Sequence, residues 1–179
     1  MLNNAIHPNT KAMLQAWRRM GLDGSELASG PPAQEFPGLL GRLFVLTCQP
    51  DGSAAFRVSG AKLPILLGRD MTNAAFEELW TGPDRAVAAA IVRAIVLESS
   101  PAMIRARAET AFGDGTELEI TLAPLARGPK TTARVLGLYQ SIRVAHPQPR
   151  PLVSHRINAV VMPEPKRPRE RLKLVSAHA

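Results

Sequence analysis

Between residues 102 and 144 the chain alternates apolar and polar side chains in three successive runs, a period that fits β-strands and not helices. In the first, Ala102, Ile104, Ala106 and Ala108 alternate with Arg105, Arg107 and Glu109. In the second, Leu118, Ile120 and Leu122 alternate with Glu117, Glu119 and Thr121. Phe112-Gly113-Asp114-Gly115 lies between them. A two-residue Asp-Gly turn would oppose odd positions to even ones and set apolar side chains against charges. A three-residue or bulged loop keeps parity, so Arg105 and Arg107 are expected to share a face with Glu117 and Glu119. The third run, Thr132 to Val144, offers Leu136, Leu138 and Ile142 on one face and Val135, Gly137 and Tyr139 on the other.

Such strands need cover, and the preceding segment supplies it. Thr81-Gly82-Pro83-Asp84 has the spacing of a capping box with proline early in the first turn. The helix it starts runs to about Leu97, with Val87, Ala88, Ile91, Val92, Ile95 and Val96 on a wide apolar face. Upstream, Leu43–Cys48 and Ala54–Val58 read as a hairpin across Pro50-Asp51-Gly52-Ser53. Lys62–Leu67, closed by Gly68, and Asn73–Trp80 read as short helices. Thr10–Met20 is an amphipathic helix with Met13, Leu14, Trp17 and Met20 on its apolar face. Residues 21–38, with glycine, serine and three prolines, read as a loop. The order predicts an α+β domain: a five-stranded antiparallel sheet with helices packed on one face, plus the N-terminal helix.

This pattern divides the chain into three regions: a helix and loop over 1–38, the domain over 39–145, and a tail over 146–179. The tail has six prolines and a basic run, so an extended, mobile segment is expected. Charge divides along the same line. Residues 1–145 carry 15 Lys/Arg against 13 Asp/Glu, and the tail 7 against 2. A nearly balanced domain argues against a domain-wide nucleic-acid surface. The tail's Arg150, Arg156, Lys166, Arg167, Arg169, Arg171 and Lys173 are candidates for an acidic partner, nucleic acid or an anionic surface, beside plain solubility. The apolar patch Ala159-Val160-Val161-Met162 is a candidate to dock on the domain or on a partner.

Other classes are argued against by what the chain lacks. Cys48 is the single cysteine, which allows no internal disulfide framework and no multi-cysteine metal site. No phosphate loop, metal spacing or nucleophile elbow appears, so no catalytic residue and no metal site is expected. The acid pairs Glu77/Glu78 and Glu117/Glu119 read as solvated faces. The longest apolar run, Ala86 to Leu97, is interrupted by Arg93 and too short to span a bilayer, and a cytoplasmic protein is expected.

A resemblance sharpens the reading. Phe56-Arg57-Val58-Ser59-Gly60 leads into Leu66-Leu67-Gly68-Arg69-Asp70-Met71 and then Phe76-Glu77-Glu78-Leu79-Trp80. Later come Leu122-Ala123-Pro124-Leu125 and Arg134-Val135-Leu136-Gly137. In this order, over about residues 10–144, these segments resemble the bacterial PAS-like domain family typical of alphaproteobacteria. The resemblance implies a stand-alone, non-catalytic sensory or regulatory protein. It would act by small-ligand sensing and by protein contact, as a homodimer or with a signalling partner. Thr10–Met20 is the candidate dimerisation helix. An adaptor with no ligand, or a nucleic-acid-associated protein using its tail, is the alternative.

A PAS-like pocket would draw on Arg57, Phe76, Trp80, Ile91, Ile95, Ile104, Leu122 and Leu138. Trp80 reads first as a core plug, and Arg57 as a surface ion pair with Asp70 or Glu77. No haem is expected, because His7, His146, His155 and His178 all fall outside the expected core. No flavin is expected either, since Cys48 lies in a strand and lacks the context of a photochemical cysteine. It reads as a small buried hydrophobe.

Overall fold

A computed structural model describes residues 6–20, 38–49, 51–125, 132–142 and 150–162. Among these residues six strands form one antiparallel sheet: β1 (Leu43–Cys48), β2 (Ala54–Ser59), β3 (Ala102–Thr110), β4 (Gly115–Pro124), β5 (Ala133–Ser141) and β6 (Leu152–Val161). Their order across the sheet is β2-β1-β5-β4-β3-β6. The helices are α1 (Pro8–Met20), α2 (Lys62–Leu67) and α3 (Asp84–Glu98), with a 3-10 turn at Phe76–Leu79. The PAS-like architecture expected from the sequence is present, with one strand more.

The β3–β4 register keeps parity. Arg105 faces Glu119 and Arg107 faces Glu117, while Ile104 faces Ile120 and Ala106 faces Leu118. Charges therefore line one face and apolar groups the other. The apolar face receives α2, the 3-10 turn and α3. Ala88, Ile91, Val92 and Ile95 of α3 are buried there with Phe44, Phe56, Phe76, Trp80 and Tyr139. Burying each large side chain of this set stabilises the fold by ~1.5–3 kcal/mol. Gly137 is closely covered, since an added Cβ would collide with the Phe44 ring.

On the opposite face lies α1. Met13 and Ala16 pack with Leu39, Leu43, Ala123, Leu136 and Leu138 in a second, smaller core. Polar contacts fix this helix. Thr121 donates from its hydroxyl to that of buried Thr10 at 3.1 Å. The Asn9 amide donates to Gln140 at 2.8 Å, and the Trp17 indole to the Pro124 carbonyl at 2.5 Å. The buried face is Thr10, Met13 and Ala16 with Trp17 packed beside them, so Met13 and Trp17 of the expected stripe face the sheet. The apolar side of the expected dimerisation helix rests on its own sheet.

The tail expected from residue 146 is corrected over 152–161. These residues form β6, which pairs along β3 from Thr110↔Leu152 to Met103↔Val161. Pro151 packs at its entrance against Gly68, which ends α2 with φ +67 and has no room for a Cβ. The capping box is corrected too. Pro83 precedes α3 with no side-chain cap. The Thr81 hydroxyl donates to the His155 carbonyl at 3.3 Å, and the Asp84 carboxylate accepts the Ile157 N–H at 2.8 Å. Both helix-start residues hold the sixth strand.

Candidate functional site

Six of the expected pocket residues meet in the main core. Phe76, Trp80, Ile91, Ile95, Ile104 and Leu122 are all buried between sheet and helices. Two do not join them. Leu138 points to the other face and packs under α1, as its parity with Leu136 requires. Arg57 is exposed on β2. Asp70, offered as its partner, instead accepts the N–H and hydroxyl of Thr72 at 2.9 and 2.8 Å. The Arg69–Glu78 pair, at 3.5 Å, stands nearby in its place.

The interior holds a continuous set of rings. Phe44 lies 5.2 Å from Phe56 and 6.2 Å from Phe76 between centroids. Phe76 meets Trp80 edge-on at 5.9 Å, and Trp80 meets His155 at 5.8 Å. Tyr139 completes the set, 5.8 Å from His155. Edge-on and tilted pairs of this kind add to the stability given by area alone. Cys48 is buried at the far end of β1, as a small core residue.

His155 is the residue that sequence reasoning missed. It is 1% exposed, which overturns its placement outside the core. Its Nε2 lies 2.7 Å from the Tyr139 hydroxyl. With the Leu79 backbone carbonyl beside the other ring nitrogen, the neutral ring is assigned its proton on Nδ1, and the hydroxyl then donates to Nε2. Nδ1 is buried and makes no hydrogen bond of good geometry among the described residues. A looser hydrogen bond with the Leu79 backbone pulls the pKa up. Burial dominates, and with the Arg69 charge pushing the same way it lowers the His155 pKa to about 4. Burial likewise drives the Tyr139 hydroxyl above its ordinary value.

A pH dependence results. The unfolded imidazole takes a proton near pH 6.5, whereas the folded one resists it down to about 4. Stability is full above 6.5 and falls with pH through that window. The loss expected from this group is ~3 kcal/mol by pH 4. Urea midpoints of the parent and of His155→Gln, measured from pH 7.5 to 4, check this. An equally steep decline in both would assign it to carboxylates instead.

Of the acid pairs, Glu117, Glu119 and Glu78 are engaged, whereas Oε2 of Glu77 is buried without a hydrogen-bond partner. Glu119 is buried, 2.6 Å from the Arg105 guanidinium, and accepts the His7 N–H at 3.1 Å. Glu117 lies 3.6 Å from Arg107. Among the described residues no cluster of three metal-ligating side chains occurs, and no helix is long and apolar enough to cross a membrane. Of the tail cations, Arg150 stacks over Phe112 at 4.3 Å and lies 3.6 Å from Asp114. Arg156 is exposed on β6. Lys166, Arg167, Arg169, Arg171 and Lys173 lie outside the described residues.

A groove of about 280 Å³ opens where β6 meets the end of α2 and the 3-10 turn. Leu67, Leu79 and Leu152 form its apolar wall, and Arg69, Glu78 and His155 its polar one. The sequence signal for it was weak, because its two sides lie far apart in the chain.

Comparison with known proteins places this geometry. A family model described as PAS domain matches residues 7–140. No curated protein matches the chain. Among solved structures, a Rhodobacter sphaeroides LOV protein is similar at 15% identity and a TM-score of 0.47. That similarity covers 60% of this chain and 61% of that one, so the chain spans under two thirds of that relative's length. The LOV domain of the photoreceptor Aureochrome1 is similar at 13% identity and a TM-score of 0.45, over 80% of this chain and 88% of that one. Likenesses this distant carry nothing about a cofactor.

Proposed function

This chain belongs to the PAS domain family, and we propose that it is a non-catalytic sensory or regulatory protein, combining small-ligand sensing with protein contact. The observation that carries the reading is the two-sided sheet. One face holds the aromatic core, the other holds α1 and the residues before it through polar contacts at Glu119, Thr121 and Gln140. Strand β4 contributes to both, with Ile120 on the inner face and Glu119 and Thr121 on the outer. A change in the inner core therefore reaches α1 through one strand.

The proposed protein uses neither haem nor flavin. The buried aromatic rings pack together between sheet and helices, and Nε2 of His155 is held by Tyr139. The ordered motifs at Arg57–Gly60, Gly68–Arg69 and Phe76–Trp80 support the alphaproteobacterial-type branch of the family. A cytoplasmic, dimeric or partner-bound protein, with residues 163–179 drawing an acidic partner or a nucleic acid, completes the proposal.

The packing of these rings against one another also favours a second reading, an adaptor that recognises protein alone. Native mass spectrometry of the freshly purified chain, beside a pull-down from the native lysate, separates the two. The sensory reading expects a small adduct on the 19.3 kDa chain together with a partner or a second copy. A partner without an adduct supports the adaptor. A bare monomer with no partner overturns both.

A further inference from the structure

We propose that the outward face of α3 is a self-association surface, against which a second copy of this chain lays its own α3 in parallel. This rests on the dimeric, sensory reading above and names the surface that joins the two copies. The N-terminal helix does not offer one, because its apolar side rests on its own sheet.

A helix lying on a sheet usually turns polar side chains to water. The helix α3 departs from this. Ala88, Ile91, Val92 and Ile95 are buried on the core side. The outward side carries Val87, Ala90, Ala94 and Leu97. Val87 is 41% exposed and Leu97 75%. Ala90 is exposed and Ala94 half-buried. Their spacing of three, four and three residues is the a-d-a-d pattern of a helix seam. Small alanines at its centre let a second helix approach closely.

Charge selects the occupant and its direction. With Val87 and Ala94 at a, and Ala90 and Leu97 at d, Arg93 falls at g and Glu98 at the following e. Both are exposed, and neither joins an ion pair among the described residues. The Arg93 side chain lies along Gly52 in the β1–β2 turn, beside the seam. In a parallel pair, g of one helix meets the next e of the other, so Arg93 meets Glu98 of the partner subunit and the two-fold axis repeats the contact. An antiparallel pair would bring the two arginines together near its centre. The surface is thus its own complement in one orientation only. Four seam positions are few, so the dimer belongs with transient interfaces below ~1,200 Å², with a Kd on the order of 10–100 μM. The same helix then carries the aromatic core on one side and the second copy on the other.

The test is sedimentation velocity on the full chain from about 5 to about 500 μM, beside a thermal melt of each variant. The parent should dimerise as concentration rises. Leu97→Glu should raise the Kd by about 100-fold or more, since it places two charges in the seam. Arg93→Glu and Glu98→Arg should each raise it by about 10-fold. Mixing those two variants should restore the parental affinity, because both contacts again join opposite charges. All three side chains are exposed, so the melts should stay within a few degrees of the parent. A dimer unaffected by Leu97→Glu would overturn the proposal and leave the dimeric reading standing, with its interface elsewhere. Charge reversals without effect, or without rescue on mixing, would overturn the parallel pairing. A parent that stays monomeric throughout would overturn the proposal as well. A partner in the pull-down would then still support the partner-bound form of the sensory reading.

Discussion

Replacing Trp80 with alanine is expected to lower the unfolding free energy by about 3–5 kcal/mol, the range of large aromatic truncations in cores. Trp80 has no exposed surface, and its ring meets Phe76 on one side and His155 on the other. Truncation would open a cavity between helices and sheet and remove the wall that keeps His155 dry. Domains of this size are stable by only ~5–15 kcal/mol, so the variant should melt far lower than the parent. The indole Nε1 is buried without a hydrogen-bond partner. The loss is therefore one of packing. Trp80→Phe, which removes the unsatisfied N–H but keeps most of the ring, is expected within about 2 kcal/mol of the parent. Thermal and urea unfolding of the three proteins check the ranking. An alanine variant as stable as the parent would mean that the core closes without this ring.

How far the fold was legible depended on whether each strand kept its period. In β3 and β4 the alternation is strict, and parity alone gave the pairing of Arg105 with Glu119 and Arg107 with Glu117. In β6 it is not. The strand has two bulges, one opposite Arg105/Ala106 and one opposite Glu109/Thr110. They set Leu152, His155, Ile157 and Val160 opposite Thr110, Ala108, Ala106 and Ile104, so the inward spacing is three, two, three. No window of period two can find such a strand. Pro147, Pro149 and Pro151 before it and Pro163 and Pro165 after it then gave the segment the composition of a tail.

The helix start at Thr81 and Asp84 hid the same strand. Their spacing was a true signal of α3, but their side chains bond β6 instead of the helix's own first turn. A local motif is satisfied by whichever donor or acceptor the tertiary fold brings closest. The site suffered likewise. Arg69 and His155 are 86 positions apart, and each alone reads as an ordinary surface residue. Only the β3–β6 ladder brings them to one groove. The inner pocket residues were found because core apolar positions follow from periodicity, yet Leu138 was placed on the wrong face of a strand whose two sides are both apolar.

Two truncations separate the contribution of β6 from that of residues 163–179. A chain ending at residue 162 keeps all of β6 and is expected to melt within a few degrees of the full chain. A chain ending at residue 145 is expected to lose ~5 kcal/mol or more, enough to leave little folded protein. It forfeits the burial of His155 and the partial burial of Leu152 and Ile157, each of the last two worth less than the ~1.5–3 kcal/mol of a fully buried large apolar side chain. It leaves the Tyr139 hydroxyl without its acceptor, which adds ~1–3 kcal/mol. It also strips β3 of its neighbour, exposing an edge along the full length of the strand, and an uncovered apolar edge invites association. The shorter protein should therefore aggregate or bind a hydrophobic dye. Circular dichroism melts and size-exclusion profiles of the three lengths provide the measurement. If the chain ending at 145 melts like the parent, β6 is a removable strand and the groove beside it cannot be an integral site. If the chain ending at 162 also collapses, residues 163–179 contribute packing beyond the sheet.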